Sequence, residues 1–224
     1  MKVTEEIYYF PGINFDSNTF LIRDKQTEEL TLIDCGTGFF FDRQVDRILR
    51  DGLNPENITR VVLTHVHFDH SGGLINFVRA YSPEVMVFHL EADSIEKGGN
   101  GLLLAREFGL EFTPTKVHRR LREGDVITAG SLKLEVLNTP GHTIGSICLY
   151  DRNKGVLFSG DTVFTYGSFG RVDFPTGNSK QLVQSLIRLS KLDVKYLLCG
   201  HLDIATKNAN EQIKLAVKNA SIWL

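Results

Sequence analysis

Residues 58–73, ITRVVLTHVHFDHSGG, are the stretch from which the rest of the chain can be read. ITRVVLTH (58–65) is a nearly continuous apolar run ending in polar residues, the pattern of a strand buried on both faces with an open C-terminal end. In THVHFDHSGG (64–73), His65, His67 and Asp69 alternate and His70 follows directly. An extended strand end puts alternate residues on one face, so three metal-capable side chains are predicted to project together from the mouth of a sheet. A turn at Asp69–His70 brings a fourth alongside. One exposed histidine is routinely innocent, but three histidines and an aspartate within six positions after a buried strand point to metal binding.

Upstream, NTFLIRD (18–24) and ELTLIDCG (29–36) are short β-rich runs split by a polar turn. Phe40, Phe41, Val45, Ile48 and Leu49 then recur at helical spacing, and Gly52 closes that helix. Downstream come a helix near GLINFVRAY (73–81), a strand at VMVFH (85–89) and helical stretches in EADSIEKG and LLLAREFG (102–109). Residues 116–165 read as consecutive strands, KVHRRL, DVITA, LKLEVLNT, GSICLYD and GVLFSGD, punctuated by turn residues. A helix at 179–192, a strand at 194–200 and a closing helix over 209–224 complete the pattern. Two rounds of meander followed by strand/helix alternation suggest two βα halves with sheets packed face to face and helices outside. No linker or repeat divides the chain, so a single domain over 1–224 is expected.

The 224 residues are 42% hydrophobic and 23% charged, an ordinary globular composition. A chain of this size buries enough surface to fold without a disulfide or structural metal, so a bound metal points to chemistry. With 25 Lys+Arg against 27 Asp+Glu, the net charge of -2 supplies no field for nucleic acid or anionic lipid. No segment has the roughly 20 continuous apolar residues of a membrane span, and MKVTEEIYYFPG lacks the apolar core of a signal peptide. A cytoplasmic location is expected. Cys35, Cys148 and Cys199 are widely spaced in apolar surroundings and read as small buried hydrophobes, not a disulfide framework. Cys199, two residues before His201, is the one that lies near a site.

Further candidate ligands recur at strand ends: His142 in NTPGHTIGS, Asp161 in VLFSGDTVF and His201 in YLLCGHLD. Each follows a glycine, Gly141, Gly160 or Gly200, whose freedom of backbone angle and close approach suits a loop that turns a side chain inward. His89 and His118 fall outside the pattern and read as structural or surface residues. The five histidines and two aspartates form a nitrogen/oxygen donor set compatible with zinc, iron or manganese.

The ordered set HxHxDH, GH, GD and GH resembles the metallo-β-lactamase superfamily, and within it the glyoxalase II-like (hydroxyacylglutathione hydrolase-like) branch. The match runs from LIDCG (32–36) to GHLD (200–203). The resemblance implies an α/β fold, an αββα four-layer sandwich of two mixed β-sheets with outer helices, and a dinuclear metal centre. One ion takes His65, His67 and His142, the other Asp69, His70 and His201, with Asp161 bridging and Asp34 as structural support. Two divalent ions are implied, zinc first, with iron or manganese as alternatives. A hydroxide shared by the two ions would attack a thioester or ester carbonyl, oriented by Asp69, with no Ser or Cys nucleophile.

GDTVFTYGSFGRVDFPTG (160–177) follows a ligand and is expected to line the cleft. It resembles the GD-x-x-F…GR-x-D pattern of small glyoxalase II-like hydrolases and of persulfide dioxygenases. Arg171 presents a fork of donors suited to an anionic substrate tail, or pairs with Asp173 on the surface. Tyr166 and Phe169 are candidate aromatic walls over the site. Glyoxalase II proper carries a lysine-containing segment here and a C-terminal helical extension that grips glutathione, for which the chain ends too soon. The reading is a metal-dependent (thio)ester hydrolase with a small-molecule substrate. Its alternatives are a mononuclear iron persulfide dioxygenase using His65, His142 and Asp161, and a non-catalytic metal-binding scaffold.

Overall fold

The computed structural model describes residues 1–98 and 101–222, and the chain divides into two compact units. Met1–Leu121 with Thr128–Ser131 form the first, Arg122–Ile127 with Leu132–Leu224 the second.

The first unit is built on a six-stranded sheet of β1 (Ile7–Phe10), β2 (Thr19–Arg23), β3 (Leu30–Ile33), β4 (Ile58–Val62), β5 (Glu84–Phe88) and β6 (Arg119–Leu121), paired in that order. The first two pairings are antiparallel hairpin neighbours, and β3 through β6 run parallel. Parallel neighbours need crossovers, supplied here by α1 (Phe41–Arg50), α2 (Phe68–Ser71), α3 (Leu74–Tyr81) and α4 (Ala92–Lys97). Ile48, Leu74, Phe77 and Ile95 from these helices pack against Leu21, Leu32, Val61 and Val85 of the strands in one apolar core. Burying a side chain of this kind contributes about 1.5–3 kcal/mol, which is what holds the ligand-bearing end of β4 in place.

Several expectations are corrected. The meander opens one strand before NTFLIRD, because IYYF (7–10) is a buried edge strand. The KVHRRL strand joins the first sheet beside β5 rather than opening the second meander. LLLAREFG contains only a 3-10 turn at Ala105–Phe108, because Leu104 and Gly109 flank it in left-handed conformations. β4 is not buried throughout: Thr59 is exposed, and Arg60 snorkels to the Thr128 carbonyl (2.6 Å) and Glu29 (3.2 Å). Leu49 lies off the buried stripe of α1 and is exposed.

The second sheet has five strands in the order β11-β10-β9-β8-β7, where β7 is Val126–Ala129, whose last two residues count with the first unit, and β8 Leu132–Asn138, β9 Ile147–Asp151, β10 Val156–Gly160 and β11 Tyr196–Cys199 belong to the second. β8, β9 and β10 pair antiparallel, and β10 and β11 are parallel, joined through α5 (Ser179–Leu189). Asn178 caps α5, its side-chain oxygen accepting from the Gln181 N–H at 3.0 Å. Leu182, Leu186 and Leu189 of α5, and Ile213, Ala216 and Ala220 of α6 (Ala209–Ala220), bury against Cys148, Leu157 and Leu197 of the sheet. The expected closing helix stops at Ala220, and Trp223 and Leu224 lie outside the described residues.

Candidate metal centre

In the first unit the ligand segment begins where β4 ends at Val62. The backbone leaves the extended conformation sooner than the alternation suggested. His67 caps α2, and Asp69 and His70 sit on that single helical turn. The four side chains still converge: ligand atoms of His65 and His67, of His65 and His70, and of Asp69 and His70 lie within 4.8 Å of one another.

The turn is fixed from both sides of one peptide unit and its neighbour. Val66, between two histidines, donates its N–H to the buried Glu91 carboxylate (3.1 Å) and accepts at its carbonyl from the Ser71 hydroxyl (2.9 Å). Neither Glu91 nor Ser71 was singled out from the sequence. A charged residue after an apolar strand, and a serine beside the motif, carried no periodic signal.

Asp34 decides which ring nitrogens face a metal. Buried just after β3 in a left-handed conformation (φ 58°), its carboxylate accepts from the Thr64 N–H (2.8 Å) and Thr64 hydroxyl (2.7 Å) and from His70 Nδ1 (2.9 Å). A carboxylate only accepts, so His70 carries its proton on Nδ1 and presents Nε2 as a lone pair. The Thr64 hydroxyl, having given its proton to Asp34, accepts from His65 Nδ1 at 3.2 Å. One carboxylate therefore sets two histidines to the same tautomer, directly and through a hydroxyl.

In the second unit the three candidate ligands arrive singly. His142 follows Gly141, whose φ is 138° and where an added Cβ would stand 2.3 Å from the Leu182 backbone. Its Nδ1 donates to the Arg171 carbonyl at 2.6 Å, again leaving Nε2 for coordination. Asp161 follows a bulge in β10, where the register against β11 shifts between Phe158 and Gly160. Gly160 takes a left-handed backbone (φ 47°), whereas Gly200 is not among the positive-φ residues. Asp161 Oδ2 stands 3.6 Å from both His142 Nε2 and His201 Nε2. That is too long for a hydrogen bond. It matches two donors sharing an ion, which at about 2.1 Å each and a tetrahedral angle stand about 3.4 Å apart.

Gly170 lies against this group. An added Cβ there would be 2.0 Å from the Asp161 carbonyl and 3.0 Å from the His142 ring, so only glycine lets the 166–171 loop close over the two ligands. Its importance was not visible in the sequence because it looked like one turn glycine among many.

The substrate candidates are placed as follows. The Arg171 guanidinium forms two hydrogen bonds to Asp173 (2.9 and 2.6 Å) over the Phe174 ring, so in this conformation its side chain is engaged on the surface while its carbonyl orients His142. Tyr166 is exposed in a left-handed conformation, its hydroxyl donating to Asp203 at 2.6 Å, and this contact raises its pKa. Phe169 packs against the second unit's core. All three cysteines are free and buried. Burial pushes the Cys199 thiol up to about 12 and that of Cys148 to about 11, which removes them as nucleophiles at neutral pH. His118 accepts from the Val85 N–H at 3.0 Å and His89 packs on Phe88, so neither joins the site.

Residues 12–201 match the family described as the metallo-beta-lactamase superfamily. The chain belongs to this superfamily. It is 36% identical to an acyl-coenzyme A thioesterase, MBLAC2, of Gallus gallus, over 89% of this chain and 76% of that protein. It is 31% identical to a hydroxyacylglutathione hydrolase of Idiomarina loihiensis, over 92% of this chain and 69% of that protein, which fits the glyoxalase II-like branch. Among solved structures, TTHA1623 in a di-iron-bound form superposes with a TM-score of 0.73 at 28% identity, covering 95% of this chain and 96% of that one. The two mixed sheets with their helices are those of the metallo-β-lactamase fold, and the His/Asp cluster suits metal ions. Among the described residues no helix is long and apolar enough to cross a membrane.

Proposed function

We propose that the chain is a metal-dependent thioester or ester hydrolase working in the cytoplasm, and that its two units act as one domain around a dinuclear centre. His65, His67 and His142 would hold one ion and Asp69, His70 and His201 the other, with Asp161 shared between them. The observation that carries this reading is the pair of 3.6 Å separations from Asp161 Oδ2 to two histidine Nε2 atoms, because a carboxylate placed this way serves two ligand sets. Two divalent ions, zinc first with iron or manganese as alternatives, would supply a hydroxide nucleophile by lowering a shared water's pKa from about 15.7 toward about 7, and would polarise the carbonyl.

The chain's own residues do the rest. Asp34, through Thr64 and His70, and Arg171, through its carbonyl, keep Nδ1 of His65, His70 and His142 protonated. Nε2 of each is then the ring atom left to coordinate an ion. Asp69 lies with Oδ2 3.7 Å from His70 Nε2, and its second carboxylate oxygen would accept a hydrogen bond from the nucleophile and orient it. Tyr166 and Phe169 would flank the substrate, and Arg171, released from Asp173, would bind an anionic tail. The thioesterase and hydroxyacylglutathione hydrolase activities named for the relatives support a small-molecule thioester as substrate.

The test is elemental analysis of protein purified without chelator, with turnover of S-acyl thioesters measured alongside. Close to two transition-metal ions per chain and metal-dependent thioester cleavage are expected. One iron per chain, with oxygen uptake on glutathione persulfide and no thioester cleavage, would replace the hydrolase with a dioxygenase.

A further inference from the structure

The first unit exposes two phenylalanines that no core explains. Phe15 is 75% and Phe39 58% accessible. Both continue a row of rings that begins inside the ligand segment. Phe68, between His67 and Asp69, has its ring centroid 6.1 Å from Phe39 and 5.2 Å from Phe108, and Phe108 is 6.2 Å from Phe15.

The loops that carry the exposed rings are tied down. Asp16, next to Phe15, accepts from the Thr37 N–H at 2.9 Å and from the Thr37 hydroxyl, and that hydroxyl accepts from the Phe39 N–H at 3.2 Å. The Ser17 N–H donates to the Asp69 carbonyl at 3.0 Å, joining the Phe15 loop to the turn that bears Asp69 and His70. Gly36 is close-packed on the Asp16 carboxylate and Gly72 on the Thr37 carbonyl, so these loops have little room to collapse and bury the rings. Large apolar side chains held in water by built contacts mark a binding surface.

The ring geometry selects the ligand. Interplanar angles of 76°, 38° and 57° along the row present mixed edges and faces. None of these three ring pairs is parallel, the arrangement a flat heterocycle would need to stack between them, whereas a flexible hydrocarbon chain can follow such a surface. We infer that the exposed rings of Phe15 and Phe39, linked through half-buried Phe108 and buried Phe68, are the subsite for an aliphatic acyl tail of the substrate. This rests on the thioester-hydrolase reading for the position of the carbonyl, but not for the affinity of the tail.

The experiment is therefore a binding measurement first. The non-hydrolysable thioethers S-ethyl- and S-octyl-N-acetylcysteamine are titrated into metal-loaded protein, and into the double variant Phe15→Ser/Phe39→Ser. The octyl compound is expected to bind the wild type at least about tenfold more tightly than the ethyl compound. The double variant, with metal content and melting temperature unchanged, should bring that ratio to within about twofold. Equal affinities in the wild type, or a preference that survives in the double variant, would overturn the inference. Cleavage of acetyl- and octanoyl-N-acetylcysteamine is then compared. Failure to cleave either one removes the hydrolase reading and leaves the binding ratio to judge the subsite. Cleavage of both without any octyl preference in binding removes the subsite and leaves the hydrolase.

Discussion

The two units would supply the proposed metal ligands by opposite means. In the first, four ligands come from six consecutive residues, and a shared set of buried partners (Asp34, Thr64, Glu91 and Ser71) holds the whole segment. In the second, each ligand ends a different strand or loop and depends on backbone that comes unusually close, at Gly141 against α5 and Gly170 against Asp161. The contrast teaches that a contiguous site is stabilised by side-chain chemistry, whereas a dispersed one depends on local packing. The two should fail differently when mutated.

The largest effect is expected at the residue on which the dispersed set converges. Asp161→Ala removes the oxygen 3.6 Å from both His142 and His201. The kcat/KM for thioesters should fall well beyond the roughly 10–100-fold typical of losing a ligand's hydrogen-bond partner. Bound metal, counted by elemental analysis, should fall with it. A variant that kept full metal content and activity would mean that Asp161 is not shared between ions.

Asp34→Asn probes the contiguous set more gently, since asparagine tolerates the left-handed backbone. An amide offers one accepting oxygen where the carboxylate uses two, so its N–H₂ group then faces either the Thr64 N–H, or both the Thr64 hydroxyl and His70 Nδ1. Metal affinity, measured by competition with a chromogenic chelator, is expected to drop by about 10–100-fold with the fold intact. Unchanged affinity would show that the tautomers do not depend on Asp34.

Gly170→Ala should register in stability before chemistry. The added methyl meets backbone at 2.0 Å, and an overpacked site of this kind costs about 1–3 kcal/mol. A lowered melting temperature with reduced metal content is the expected outcome, and a neutral result would show that the loop can shift away. The smallest effect belongs to Cys199→Ser. With the thiol pushed up to about 12 by burial, the thiolate is absent at neutral pH and its proton leaves only well above the range of the assay. Turnover should stay within about twofold, and iodoacetamide should leave the folded protein unlabelled at pH 7.5.

The same contrast explains what could be read from the sequence. His65, His67, Asp69 and His70 were legible because three histidines and an aspartate within six positions have few innocent explanations, even though Asp69 and His70 turn out to lie on a helical turn rather than an extended end. His142, Asp161 and His201 each looked like an ordinary loop residue and became candidates only as an ordered set. The strands β2 to β5 and helices α1, α3, α5 and α6 followed from apolar periodicity. IYYF did not, because a four-residue edge strand has too short a period to stand out, and KVHRRL joined the other sheet because pairing is a property of partners that a local pattern does not contain. Glu91, Ser71 and Gly170 were invisible for the same reason.

The hydroxyl of Thr64, lodged between Asp34 and His65, also bears on how the protein lives without its ions. Histidines whose rings are oriented by protein hydrogen bonds should need little rearrangement to receive a metal, so binding is expected to be less coupled to folding than in a zinc finger. Dialysis against chelator should leave amide-exchange protection across residues 64–71 close to that of the loaded protein, and returning the ions should restore activity without a refolding lag. Depletion would then silence the enzyme while sparing the molecule, giving a dormant but intact pool that recovers as fast as the ions diffuse back.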